Sequence, residues 1–302
     1  VDPLVFALIA GAAILHVAWN VLLKTAGDPL RAAAVGMTAA AAVIVPAAAI
    51  GWILIGRPSI PPGAISLALA SGVLEAAYFG FLAAAYRRGD LSVVYPIARG
   101  TAPLLAVAVG IGVLGERLGP AGLAGVVALL AGLLALQRPW RFLRAAGRRS
   151  GDSAVAFALA TGVMIAGYSA VDRVGTRLVP PWLYAGLIWA FCMVFLWSWV
   201  VISERLARPT SDATKPSPLN VRRASVGGLL TLAAYLLILA AFSVAPLTAV
   251  APLRESAIVL ASGWGTLRLG EGRDRGEAMR RIAASALVVV GAILLALDSG
   301  AR

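Results

Sequence analysis

Ten runs of mostly apolar residues, each near the ~20 that an α-helix needs to cross a bilayer, are set apart by Pro, Gly and charge. They cover 4–24, 31–55, 64–87, 91–114, 119–137, 153–173, 182–202, 224–245, 247–269 and 282–297. The breaks between them carry Gly27-Asp28-Pro29, Pro61-Pro62, Arg88-Gly89-Asp90, Gly119-Pro120 and Pro180-Pro181. Only 13% of the 302 residues are charged and 60% are hydrophobic. Water-soluble domains carry about 25% charged residues, so this chain cannot cover a soluble surface and is not an ordinary soluble enzyme. The pattern predicts an all-α polytopic membrane protein with ten transmembrane helices.

The formal charge of +12 is the excess expected of loops facing an anionic leaflet, and no basic, aromatic-interleaved soluble domain points to nucleic acid. One Cys and one His exclude an intrachain disulfide and any multi-His or Cys-cluster metal site, so no cofactor is expected. Cys192 sits in an apolar run and reads as a small core side chain. The first apolar run lacks a basic n-region and is too long for a cleaved h-region, so it reads as a retained span.

The chain divides around a basic stretch, residues 138–152, which holds five Arg. Residues 1–137 and 153–302 then carry five spans each. The halves resemble one another. Tyr95-Pro96 falls on Ala251-Pro252 at an offset of 156, while Arg99 falls on Arg254, and Gly115-Glu116 on Gly270-Glu271, at 155. Trp19-Asn20-x3-Lys24 matches Tyr168-Ser169-x3-Arg173. Because five is odd, the second repeat must be inverted relative to the first, which is an architecture of secondary transporters with a site between the halves. Of 26 Lys and Arg, 19 fall in loops on one side, five on the other and two inside the membrane. The positive-inside rule puts the richer side in the cytoplasm and both termini outside the plasma (inner) membrane.

These pieces resemble the drug/metabolite transporter superfamily, specifically proteins with two EamA-type five-helix repeats. The likeness rests on His16-Val17-Ala18-Trp19-Asn20-x3-Lys24, Tyr95-Pro96-Ile97-Ala98-Arg99-Gly100-Thr101-Ala102-Pro103-Leu104 and Leu114-Gly115-Glu116-Arg117-Leu118, with Ala251-Pro252-Leu253-Arg254-Glu255-Ser256 in the second half. It implies a permease or exporter of amino acids, other metabolites or drugs. Ten-helix members are usually drawn with both termini in the cytoplasm, the reverse of what the charge count gives here.

Five ionisable residues lie well inside the predicted spans: His16, Glu75, Arg99, Arg254 and Glu255. Each charge at the bilayer centre costs about 2.5–3.5 kcal/mol on insertion scales, so such groups face a polar cavity or one another. The flanking Pro96, Pro103 and Pro252 are expected to kink their helices or open them locally there. Arg99 and Arg254 suit a carboxylate or phosphate; the alternative for Arg99 is an internal ion pair with Glu255 or Glu75. Glu255 shares a polar stripe with Thr248, Ser262 and Thr266, whereas Arg254 lies about 100° away on the helix, so the two do not pair side by side. Glu75 and His16 are candidates for proton coupling, His16 alternatively for a hydrogen bond between helices. Trp19, Asn20, Tyr78 and Tyr95 complete the candidate substrate-binding set. Trp19, Tyr78, Tyr95, Tyr168 and Tyr235 either line a cavity or pack. Trp182, Trp189, Trp197, Trp199 and Trp264 read as belt or lipid-facing residues, and Gly115-Glu116-Arg117 and Gly270-Glu271 as surface turns, with a gate contact as the alternative. Small residues in the fifth and tenth spans allow close packing within the bundle or in a homodimer.

The favoured function is a secondary transporter of a small polar metabolite with an anionic or zwitterionic group, such as an amino acid, by alternating access, with proton coupling as the candidate energy source. A flippase for a lipid-linked head group and an exporter of hydrophobic cations or drugs are the alternatives.

Overall fold

The structure, a computed structural model, describes residues 3–88, 91–138, 152–206, 218–255 and 275–298. These form ten helices: α1 (Pro3–Lys24), α2 (Pro29–Leu54), α3 (Pro62–Tyr86), α4 (Leu91–Gly112), α5 (Pro120–Gln137), α6 (Asp152–Gly175), α7 (Pro181–Leu206), α8 (Val221–Val244), α9 (Leu247–Glu255) and α10 (Arg275–Leu297). Prolines open α2, α3, α5 and α7, at the one place in a helix where a missing N–H costs nothing. Asp28 and Asn220 cap α2 and α8 by accepting from the backbone N–H of Arg31 and Arg223, both at 3.0 Å. Between α8 and α9, Ala245 is extended because Pro246 follows it.

Five helices carry stretches long and apolar enough to cross a membrane: those within α2, α3, α6, α7 and α8. Shorter apolar stretches fall in α1, α4, α5 and α10. Large side chains such as Ile14 (66% exposed), Leu54 (79%) and Leu206 (75%) point outward, where water would penalise them and lipid does not. This is an integral, multi-pass membrane protein. The sequence expectation of a ninth span at 247–269 lies outside the described residues beyond Glu255.

Helix pairing crosses the middle of the chain. The principal contacts are α1 with α8 and α9, α2 with α7 and α8, α3 with α6 and α7, α4 with α6 and α9, and α5 with α10. Each joins a helix of the first five to one of the last five, so neither half has a core of its own. Replacing every helix by its counterpart five places away returns the same set of pairs. The closest approaches obey this exchange too. Gly36 of α2 meets Gly228 of α8 backbone to backbone, and Cys192 of α7 meets Gly72 of α3, each residue 156 positions from its counterpart. The single cysteine is therefore a packing residue at a helix crossing. The small faces of α5 and α10 are occupied by each other, with Gly125 against Gly291.

A Cβ at Gly228 would fall inside the backbone of Gly36, whereas one at Gly63 would meet only the Leu178 side chain at 3.7 Å. Overpacking of this kind costs about 1–3 kcal/mol. Gly228→Ala and Gly72→Ala are expected to lower the melting temperature of the detergent-solubilised protein clearly, and Gly63→Ala to leave it unchanged. Equal melting temperatures across the three would mean that the crossings are not tight.

The loops gather at two ends. At one, Arg31 pairs with Glu204 and Arg87 with Asp28, both at 2.7 Å. At the other, Arg173 pairs with Glu116 at 3.3 Å and Asp298 accepts from the Gly119 N–H at 3.1 Å.

Candidate functional site

Between these ends lies a narrow pocket lined by seven helices, with about 420 Å³ of empty space when its open mouth is included. His16 and Trp19 reach it from α1, Met37 from α2, and Glu75, Tyr78 and Phe79 from α3. Arg99 comes from α4, Tyr168 from α6, Trp189 from α7, and Thr231 and Tyr235 from α8. An acidic and a basic side chain thus line one partly open space. Both are buried, Glu75 at 5% exposure and Arg99 at 8%. A smaller apolar recess of about 300 Å³ adjoins it, sharing Trp19, Met37, Phe79, Trp189 and Thr231 and lined further by Gly36, Gly227 and Gly228 of the α2–α8 crossing.

Arg99 is held by Glu255, its Nη1 lying 2.8 and 3.1 Å from the two carboxylate oxygens. Glu255 also meets Arg254, whose Nε is 3.4 Å from Oε1. Neighbours on a helix diverge by about 100°, yet the length of the Arg254 side chain lets it curl back onto Glu255, contrary to the expectation from the helical wheel. Arg254 further donates to Ser169 Oγ at 3.3 Å and lies 5.9 Å from the Tyr168 ring. One carboxylate therefore bridges two guanidiniums across the α4–α9 contact. This internal ion pair is one of the two arrangements the sequence allowed for Arg99.

The aromatic residues are in contact with one another. Ring centroids lie 4.8 Å apart for Tyr78 and Phe79, 6.1 Å for Tyr78 and Tyr168, 6.1 Å for Tyr168 and Tyr235, and 4.8 Å for Trp189 and Tyr235. His16 sits edge-on to Trp19 at 5.8 Å, with Nδ1 3.2 Å from the Ala12 carbonyl. The indole N–H groups of Trp19 and Trp189 are buried and have no hydrogen-bond partner among the described residues. Such donors are costly unless something accepts from them.

Asn20 lies on α1 one turn beyond His16, and Tyr95 and Pro96 lie on α4 one turn before Arg99; their side chains fall outside the described residues. The backbone stays helical at all three of these prolines. The helix α4 runs unbroken through Pro96 and Pro103, and α9 runs through Pro252 to Glu255. A proline removes one donor and strains the preceding turn, which a packed helix tolerates without ending.

Three residues escaped the sequence reading. Trp189, read as a belt residue, is 1% exposed and lines the cavity. Asp172 is fully buried on α6; its carboxylate accepts from Ser71 Oγ at 2.6 Å and from the Tyr235 hydroxyl, with Tyr184 alongside. It stands next to Arg173 in the last turn of its helix, where charge usually marks a loop. An Asp one residue inside the final basic residue of an apolar run was the available signal. Glu116, read as a surface turn residue, is half-buried and accepts from the backbone N–H groups of Leu247 (2.7 Å) and Thr248 (2.9 Å), capping α9.

Residues 4–137 match the EamA-like transporter family. No curated protein matches the chain in sequence. Among solved structures, 29 chains match. One protein crystal structure superposes with a TM-score of 0.68 over 97% of each chain, at 21% identity, which is a likeness of fold. Residues 4–137, which span the first five of the ten helices, are thus similar to an EamA-like transporter domain.

Proposed function

We propose that the protein is a secondary transporter, not an enzyme, and that its substrate is a small zwitterionic metabolite of the amino-acid class. The observation that carries this reading is the pairing of Glu75 with Arg99 in one cavity walled by aromatic rings. A carboxylate suits the guanidinium of Arg99, which Glu255 holds in a fixed orientation. An ammonium suits Glu75 and the faces of Tyr78 and Tyr168. The indole donors of Trp19 and Trp189, which have no acceptor among the described residues, offer sites for a further acceptor atom on the ligand.

The exchange of helix partners between the two halves supports a two-fold relation, and five helices per half make that relation an inversion. Two inverted units packed only on each other can rock about the central cavity, opening it first to one side and then to the other. The bias of 19 basic loop residues against five orients the bundle with its termini outside. The rival reading, export of hydrophobic cations, is favoured by the aromatic wall and Glu75 and opposed by Arg99 in the same space.

A thermal-stability screen of the purified protein against amino acids, organic phosphates, other organic anions and lipophilic cations tests the proposal. A ligand at 100 times its Kd adds about 2.7 kcal/mol. Stabilisation by amino acids that disappears in both Glu75→Gln and Arg99→Ala is the expected result. Stabilisation by lipophilic cations alone, persisting in Arg99→Ala, would replace the zwitterion with a cation.

A further inference from the structure

We propose that the apolar recess beside the candidate site is a side-chain subsite, and that the substrate is an amino acid with a short aliphatic side chain, valine or leucine in size. The polar end of the ligand rests on the zwitterion reading above; the recess rests on packing alone.

The recess exists because the two halves pair their helices alike but differ in side-chain size at one place. The α2–α8 and α7–α3 crossings are counterparts, Gly36 falling on Cys192 and Gly72 on Gly228 at the offset of 156. At the same offset, Ala32 and Ala33 of α2 stand where α7 carries Ile188 and Trp189. Gly227 of α8 likewise stands where α3 carries Ser71. Ile188 and Trp189 are 0% and 1% exposed, so their bulk is taken up by the interior. Two alanines and a glycine leave the equivalent volume unfilled at α2–α8, and all three line the recess.

Its walls are fixed. Gly36 and Gly228 are already in backbone contact and cannot approach further. Ala32 and Ala224 belong to a buried cluster with Ala26, on which Val35 and Leu219 pack, and the Asn220 N–H donates to the Ala26 carbonyl at 2.8 Å. Towards the Asp28 end the recess therefore runs into packed side chains. Its space is about 300 Å³ with the open mouth included, which suits a short aliphatic group rather than a large aromatic one.

Its chemistry is selective. None of the described residues that line it is charged. The Thr231 hydroxyl is occupied, donating to the Gly227 carbonyl at 2.9 Å. A charged or strongly polar side chain would lose its hydration there and gain no partner in return. The remaining polar atoms are the indole N–H groups of Trp19 and Trp189, residues 3% and 1% exposed that line both the recess and the charged pocket. Neither donor has an acceptor among the described residues. They belong to the border between the two spaces, where the carboxylate of a ligand whose side chain fills the recess accepts from them alongside Arg99.

Thermal-shift titration of the detergent-solubilised protein tests the proposal, with glycine, alanine, valine, leucine and aspartate as ligands and n-alkylammonium ions of increasing length beside them. Valine or leucine is expected to bind about tenfold or more tightly than glycine, and aspartate more weakly than either. Ala33→Leu, which puts a side chain of the chain's own into the recess, is expected to abolish the advantage of valine and leucine over glycine. Gly227→Ala decides if Ala33→Leu fails to fold. Glycine binding as tightly as valine in the wild type overturns the proposal. So does an advantage that survives the filled recess, and so does an equal loss for every amino acid, which would make the recess a passage. If no amino acid binds at all, the zwitterion reading fails instead. The recess then stands if alkylammonium affinity rises with chain length in the wild type and not in Ala33→Leu, and falls if length has no effect.

Discussion

Glu255→Gln is expected to be the most destabilising single substitution in the interior, costing about 3–5 kcal/mol, the usual penalty for removing one partner of a buried ion pair. The substitution changes almost no volume, so the cost is electrostatic. Glu255 lies against Arg99 at 2.8 Å and Arg254 at 3.4 Å, and its loss strips both guanidiniums of their nearest carboxylate. Arg99→Met should cost less, because Glu255 keeps Arg254. The test is the order of melting temperatures in detergent, with Glu255→Gln below Arg99→Met. The reverse order would mean that Arg254 contributes nothing to the pair and that Arg99 is held by other contacts. The ion pair also joins α4 to α9 at the point where the two halves exchange partners, so its loss should loosen the halves together rather than one helix alone.

Much of this was legible in the sequence, because lipid imposes simple rules. The length of an apolar run sets a span, and Pro or Gly next to charge sets its end, which is why nine of the ten predicted spans overlap a helix over most of their length. Buried charge is rare in such runs, so Glu75, Arg99, Arg254 and Glu255 stood out. What was not legible depends on which helix faces touch. Asp172 was masked by its neighbour Arg173, and its burial is only apparent once Ser71 of α3 and Tyr235 of α8 close around it. Trp189 looked like any interfacial Trp until α7 turned it inward. The partner of Arg99 stayed open because Glu75 and Glu255 were equally available by spacing; contact between α4 and α9 decides it.

Glu116 was misread for a different reason, and it carries the second large expected effect. A Gly-Glu-Arg turn reads as surface when only its own loop is considered, and Gly115, at φ +65°, does make the turn. The turn delivers the Glu116 carboxylate to the start of α9, where two backbone N–H groups have no helical partner of their own. The same carboxylate holds Arg173 of α6, and Arg173 Nη1 donates to the Phe242 carbonyl of α8 at 2.5 Å. One side chain thus ties the α4–α5 turn to three helices of the second half at one end of the bundle. Glu116→Ala should remove about 2–4 kcal/mol of charge-assisted hydrogen bonding from this closed end. Each 1.4 kcal/mol is a factor of about ten in population, so the open state should rise at least tenfold. A cysteine placed at the cavity residue Thr231, in a Cys192→Ala background, reports it through its rate of labelling by a membrane-impermeant maleimide applied from that end. A tenfold or greater rise in rate is expected. An unchanged rate alongside a lowered melting temperature would make Glu116 a cap for α9 and nothing more. The sequence counterpart of this residue is Glu271, which follows the ninth span as Glu116 follows the fourth. On the alternating-access reading proposed above, a corresponding clasp is expected at the other end, made and broken in turn with the first. Removing either acid should therefore favour opposite open states, and the Thr231→Cys labelling rates from the two sides should move in opposite directions.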